Sequence, residues 1–93
     1  MSSPHYPRVA SVKPQPNGRL LVWFDNGIAK VYDCTPLFEK EPFRRLADES
    51  FFRLVRADPH GYAVIWDDET DLAESELWLN GAPAEPMAAD TPR

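Results

Sequence analysis

Residues 65–81 read IWDDETDLAESELWLNG and set Asp67, Asp68, Glu69 and Asp71 between Trp66 and Trp78. Carboxylates at alternate positions are how a calcium loop begins, and Asp67, Glu69 and Asp71 have that spacing. The pattern then fails. Leu72 occupies the sixth position, where a sharp turn needs glycine, and Trp78 the twelfth, where a bidentate glutamate should close the shell. The stretch is not an EF-hand. Asp71 and Glu74 precede the apolar pair Leu77 and Trp78, and carboxylates at a helix start meet its orphan N–H groups and positive dipole end. Asp67, Asp68 and Glu69 read as a solvated loop, and together with Asp71 as an acidic contact surface.

Other chemistries have less to work with. His5, His60 and Cys34 show no spacing of the kind that clusters ligands around a transition metal. A Cys34–His60 nucleophile pair lacks any local signature, and a buried cysteine is ordinarily a small hydrophobe. Gly18, Gly27, Gly61 and Gly81 are isolated, so no phosphate-cradling loop is present. No catalytic residue, metal ligand or cofactor is expected, and the chain reads as non-enzymatic.

Charge narrows the partners. Ten Lys and Arg against fifteen Asp and Glu give a net charge of −5, unsuited to a phosphate backbone. Arg44, Arg45, Arg53 and Arg56 are the nearest approach to a basic cluster and carry the alternative reading, a nucleic-acid-associated regulator that stacks bases on Phe or Trp. An acidic inhibitor mimicking nucleic-acid charge is the further alternative. A small basic protein, or a second copy in a homodimer, fits the charge better. Cys34 is the only cysteine, so no intramolecular disulfide forms. No membrane-length apolar run and no apolar leader occur in the sequence, so a cytoplasmic location is expected and no membrane partner.

The elements that must position these residues are short, because ten prolines interrupt a 93-residue chain. A loose arm is expected at 1–7, a single α+β domain at 8–81 and a disordered Pro/Ala-rich tail at 82–93. Val9 and Val12 anchor a first strand, and QPNG turns the chain. Strands at 19–24 and 28–33 flank Asp25-Asn26-Gly27, a hairpin signal. Leu37, Phe38, Phe43, Leu46 and Ala47 recur at helical spacing, while Pro36 and Pro42 forbid one long helix, so a broken helical segment is expected at 36–52 with Asp48 as a cap. Period two returns over Phe52–Ala57 and again over Tyr62–Trp66, and a helix at 74–80 ends at Gly81. The order β-β-β-α-β-β-α argues for a mainly antiparallel sheet with short, interrupted helices.

Three stretches, PRVASVKPQPNGRLLVWFDNGIAKVYDCTPL, FRRLADESFFRLVRAD and GYAVIWDDETDLAESELW, resemble the small bacterial family called domain of unknown function 2442. The resemblance spans about residues 7–80. It implies an α+β fold and no established activity, cofactor or catalytic residue. Members are commonly short stand-alone proteins, often encoded beside another small protein in an arrangement like a toxin–antitoxin pair. Some longer members add a helix-turn-helix; with twelve residues after Gly81, none is expected here.

One question is left to the structure. If Leu20, Val22 and Phe24 face the core, Leu21 and Trp23 project from the sheet's second face. That face is either a binding or dimer surface carrying Leu21 and Trp23, or is covered by the last helix through Trp78; Trp23 and Tyr32 are the expected contact residues.

Overall fold

The structure, a computed structural model, describes residues 6–84. In chain order these form β1 (Val9–Gln15), a 3-10 turn (Pro16–Gly18), β2 (Arg19–Phe24) and β3 (Ala29–Asp33). Two further 3-10 turns (Thr35–Leu37 and Phe43–Ala47) lead into α1 (Glu49–Phe52). The chain continues through β4 (Arg56–Ala57), β5 (Ala63–Asp67), β6 (Thr70–Ala73), α2 (Glu74–Asn80) and β7 (Ala82–Pro83).

The strands make two antiparallel sheets rather than one. The first has the order β1-β2-β3-β7 and the second β4-β5-β6. The fold class is α+β, as the strand and helix order implies.

Turn chemistry sets the register of the first sheet. Phe24 and Ile28 close a three-residue loop, with the Phe24 N–H donating to the Ile28 carbonyl (2.9 Å) and the Gly27 N–H to that of Phe24 (3.0 Å). Asn26 Oδ1 accepts from the Ile28 N–H. The loop places Leu20 opposite Tyr32, Leu21 opposite Val31, Val22 opposite Lys30 and Trp23 opposite Ala29. Residues directly opposite share a face, so the inner face presents Leu20, Val22, Phe24 and Tyr32, all buried. Burying each such side chain contributes about 1.5–3 kcal/mol.

The second sheet supplies Val64, Trp66 and Leu72 to the same core, and the helical segment adds Leu46, Phe52 and, from α2, Leu77. Asp48 caps α1 as the sequence suggests, its Oδ1 accepting from the Ser50 N–H at 3.0 Å. The Gly81 N–H bonds back to the Leu77 carbonyl where α2 stops.

Four expectations are corrected. Residues 70–73 are strand β6, not a helix approach, and Ala73 is the α2 N-cap with no side-chain cap bond, so Asp71 caps nothing. The period-two run over 52–57 is strand only at Arg56–Ala57, and Leu54 is exposed. Ala82–Pro83 pair with β3 instead of opening a loose tail; the rest of that tail, 85–93, and residues 1–5 of the expected arm lie outside the described residues. Tyr32 belongs to the inner face, because the three-residue loop sets it across from Leu20.

Candidate functional site

The side chains that α2 directs at the first sheet decide which face is covered. The Trp78 ring meets Phe24 edge-on, with centroids 5.1 Å apart, and Lys30 Nζ sits 3.8 Å above it while donating to the Trp78 carbonyl. The Tyr32 hydroxyl donates to Glu76 Oε2 at 2.6 Å. Burial, then this bond to a carboxylate, push the Tyr32 hydroxyl's pKa far above its ordinary value. Every one of these contacts lies on the inner face.

The outer face carries Leu21, itself buried, and Trp23 on β2, with Val31 and Ala29 opposite them on β3, Ala82 beyond, and the exposed Ser11 and Lys13 across from Trp23 and Leu21 on β1. Trp23 is 38% exposed, high for so large an aromatic. A cavity of about 500 Å³ lies on the same face, with Leu21, Val31 and Ala82 on its apolar side and Arg19 and Asp33 at its rim. The Asp33 carboxylate accepts from the Thr35 N–H (3.0 Å) and Oγ1 (2.8 Å). Those bonds hold its pKa below the usual carboxylate range, with a smaller contribution from Arg19.

The acidic residues lie elsewhere. Asp67 ends β5, Asp68 and Glu69 form the exposed turn to β6, and Asp71 is exposed on β6 itself. The Glu69 N–H donates to Asp67 Oδ1 (3.0 Å), which is the leading reason the Asp67 pKa is lowered. Arg45 adds to it with a 2.8 Å ion pair to Oδ2. The buried Thr70 hydroxyl lies near enough to the carboxylate to favour its ionised form, yet reaches no partner at hydrogen-bond geometry. Among the described residues no three His, Cys, Asp or Glu side chains converge as metal ligands. The structure therefore brings Trp23 together with Leu21 and Val31, not with Tyr32 or the acidic loop.

The arginines named for nucleic acid are mostly engaged. Arg45 holds Asp67 and stacks 4.1 Å from the Phe51 ring centroid, Arg44 pairs with Glu41 (2.9 Å), and Arg53 faces Glu49 (3.8 Å). Arg56 alone of the four has no ion pair among the described residues.

Cys34 and His60 do not form a nucleophile site. Cys34 is fully buried after β3, and burial, then the neighbouring Asp33 carboxylate, push its thiol up to about 12. His60 is exposed in the turn between β4 and β5, against the Tyr62 ring. We expect Cys34 to stay unreactive towards a thiol-disulfide reagent at pH 8 in the folded protein and to react fully in denaturant. Fast native-state labelling, followed spectrophotometrically, would reverse this assignment.

Sequence reasoning missed Ala29, Val31 and Ala82 as members of the open face. The first two were legible once the loop length was known, since pairing Phe24 with Ile28 puts Trp23 across from Ala29 and Leu21 across from Val31. Ala82 gave no such signal.

Two antiparallel sheets closed over a shared core define a small α+β protein. Residues 9–84 match the family described as "Protein of unknown function (DUF2442)", and the chain belongs to that family. No curated protein and no solved structure matches it. No helix among the described residues is long and apolar enough to cross a membrane.

Proposed function

We propose that this protein is a non-enzymatic interaction module, the regulatory, antitoxin-like member of a pair of small proteins. It engages its partner through the outer face of the first sheet. One observation carries the reading: Trp23 is 38% exposed on the outer face of the first sheet, beside the buried Leu21 and opposite Ala29. An exposed tryptophan is the residue type that dominates binding energy in protein interfaces. The net charge of −5 favours encounter with a basic partner.

The test is affinity purification of the tagged chain from its own host, with mass spectrometry of what accompanies it. A small protein in stoichiometric amount is the expected result. Substituting Trp23→Ala should then weaken that complex by roughly 30-fold or more, the loss typical of a buried aromatic anchor. A complex that forms with unchanged affinity, or a chain that elutes alone under all conditions, would overturn the proposal.

A further inference from the structure

Strand edges differ in how they are guarded, and among the described residues one edge is guarded only by a single acidic side chain. β1 carries Lys13 and Pro14 and has a register break between Val9 and Ser11. β7 is two residues long and contains Pro83, and β4 is also two residues long. Lysine, proline, bulges and brevity are the devices that keep an edge from pairing with another chain. β6, Thr70–Ala73, has neither proline nor lysine, and among the described residues no strand pairs with its far side.

The ladder shows which backbone groups are open. The Glu74 N–H donates to the Tyr62 carbonyl (2.9 Å), and in an antiparallel pair such bonds join only directly opposed residues, at every second position. Val64 and Leu72 are therefore a hydrogen-bonded pair, whereas Ala63–Ala73 and Ile65–Asp71 are not. From the other side, the Asp58 N–H donates to the Ala63 carbonyl, which agrees with this phase. The N–H and C=O of Asp71 and the N–H of Ala73 thus point outward. Among the described residues neither N–H has a partner. Thr70 and Leu72 turn their side chains into the core, while Asp71 and Ala73 are exposed.

Charge says what would pair there. Residues 67–76, DDETDLAESE, hold six carboxylates and no Lys, Arg or His. Asp67 is neutralised by Arg45 and Glu76 accepts from Tyr32, but Asp68, Glu69 and Asp71 are exposed without an ion pair among the described residues. A strand laid along β6 would run past Asp68 and Glu69 at one end and Glu74 at the other.

We propose that the outer edge of β6 is a strand-addition site for an extended, lysine- or arginine-bearing segment of a partner protein. Main-chain bonds to Asp71 and Ala73 supply the attachment and the carboxylates select the charge. The inference rests on the reading of the chain as an interaction module and gives the chemistry of one part of its partner.

The test uses the full chain and a fluorescent nine-residue peptide of alternating Lys and Thr, measured by anisotropy at low salt. Three comparisons are made: a glutamate-for-lysine peptide, a Lys/Thr peptide N-methylated on alternate amides, and the variants Asp71→Lys and Ala73→Pro. Ala73 has φ −69°, so proline fits the backbone there and removes only an outward N–H. The Lys/Thr peptide is expected to bind, moving the Asp71 and Ala73 amide resonances. N-methylation, Asp71→Lys and Ala73→Pro should each weaken it roughly tenfold, and the glutamate peptide should bind at least as weakly. No binding of the Lys/Thr peptide, equal binding of the N-methylated peptide, or equal binding to Ala73→Pro overturns strand addition. Equal binding of the glutamate peptide overturns the charge assignment. Failure here is separable from failure of the interaction-module reading: a host partner lost with Trp23→Ala but kept with Ala73→Pro removes this inference alone.

Discussion

Substituting Trp66→Ala is expected to remove about 3–5 kcal/mol of stability, the range for deleting a large buried aromatic. Trp66 is, with Val64, an inner-face residue of β5 and is 3% exposed. Its ring lies 6.0 Å from that of Phe52, and its Nε1–H donates to the Phe52 carbonyl at 3.0 Å. The side chain thus joins the second sheet to α1. Truncation opens a cavity and leaves the Phe52 carbonyl with only the longer bond from the Val55 N–H (3.4 Å). A domain of this size has about 5–15 kcal/mol in all, so the variant should unfold at a much lower urea concentration. Trp66→Phe separates the two contributions. It keeps most of the ring packing and loses the bond, so about 1–2 kcal/mol should go. Far-UV circular dichroism in urea reads both. A loss below about 1 kcal/mol for Trp66→Ala would show that the second sheet is held by something other than this ring.

The two faces of the first sheet illustrate how packing separates stability from display. The inner face takes Leu20, Val22, Phe24 and Tyr32 and, through Trp78 and Glu76, the last helix. With its helix spent on that side, the chain has no described helix left for Leu21, Trp23 and Val31. The same economy applies to the second sheet, where three strands bury Val64, Trp66 and Leu72 inward and end on an edge that nothing described pairs with. Apolar patch and open edge lie on different sheets.

How much of this was readable beforehand depended on whether local chemistry decided the structure. The hairpin from Arg19 to Asp33 was legible because Asp25-Asn26-Gly27 forces a turn between two β-rich runs. The helix at Glu74–Asn80 was legible from Leu77 and the Gly81 stop. β6 was not, because Asp71 disguises a four-residue alternation in which Thr70 and Leu72 are buried and Asp71 and Ala73 exposed. Acidic density reads as solvated loop, and only pairing with β5 reveals the strand. β7 was hidden for another reason: alanine and proline have little strand preference, and its two residues are held by Lys30 and Val31 of β3. Division into two sheets is a long-range outcome that periodicity does not carry. Of the proposed contact residues, Trp23 was placed by alternation alone, while Tyr32 needed the loop length, since a shift of one residue exchanges the faces.

Gly61→Ala and Gly27→Ala should differ sharply although both glycines have positive φ, +80° and +87°. An alanine forced into that region costs about 1–2 kcal/mol at either site. At Gly27 a Cβ meets nothing within 4 Å, so the cost stops there. At Gly61 it would stand 2.7 Å from the Arg8 Cβ and 3.0 Å from the Val9 carbonyl oxygen. Val9 opens β1 and Arg8 directly precedes it, and the Gly61 carbonyl accepts the Val9 N–H at 2.9 Å, so this is where the turn of the second sheet touches the first. The turn cannot swing outward freely. Asp58 Oδ2 accepts from the His60 N–H (2.9 Å) and the Tyr62 N–H (3.3 Å), and the Gly61 N–H donates to the Asp58 carbonyl. Relief of the clash must therefore break either those bonds or the junction with Val9. We expect Gly61→Ala to lose about 3 kcal/mol or more, against about 1 kcal/mol for Gly27→Ala, adding overpacking to the dihedral cost. Paired urea titrations of the two variants measure the difference directly. Equal losses would mean that φ alone sets the cost and that the two sheets do not meet tightly at Gly61. A large excess at Gly61 would show that the junction between the sheets, and not the hairpin tip, is where the fold tolerates least change.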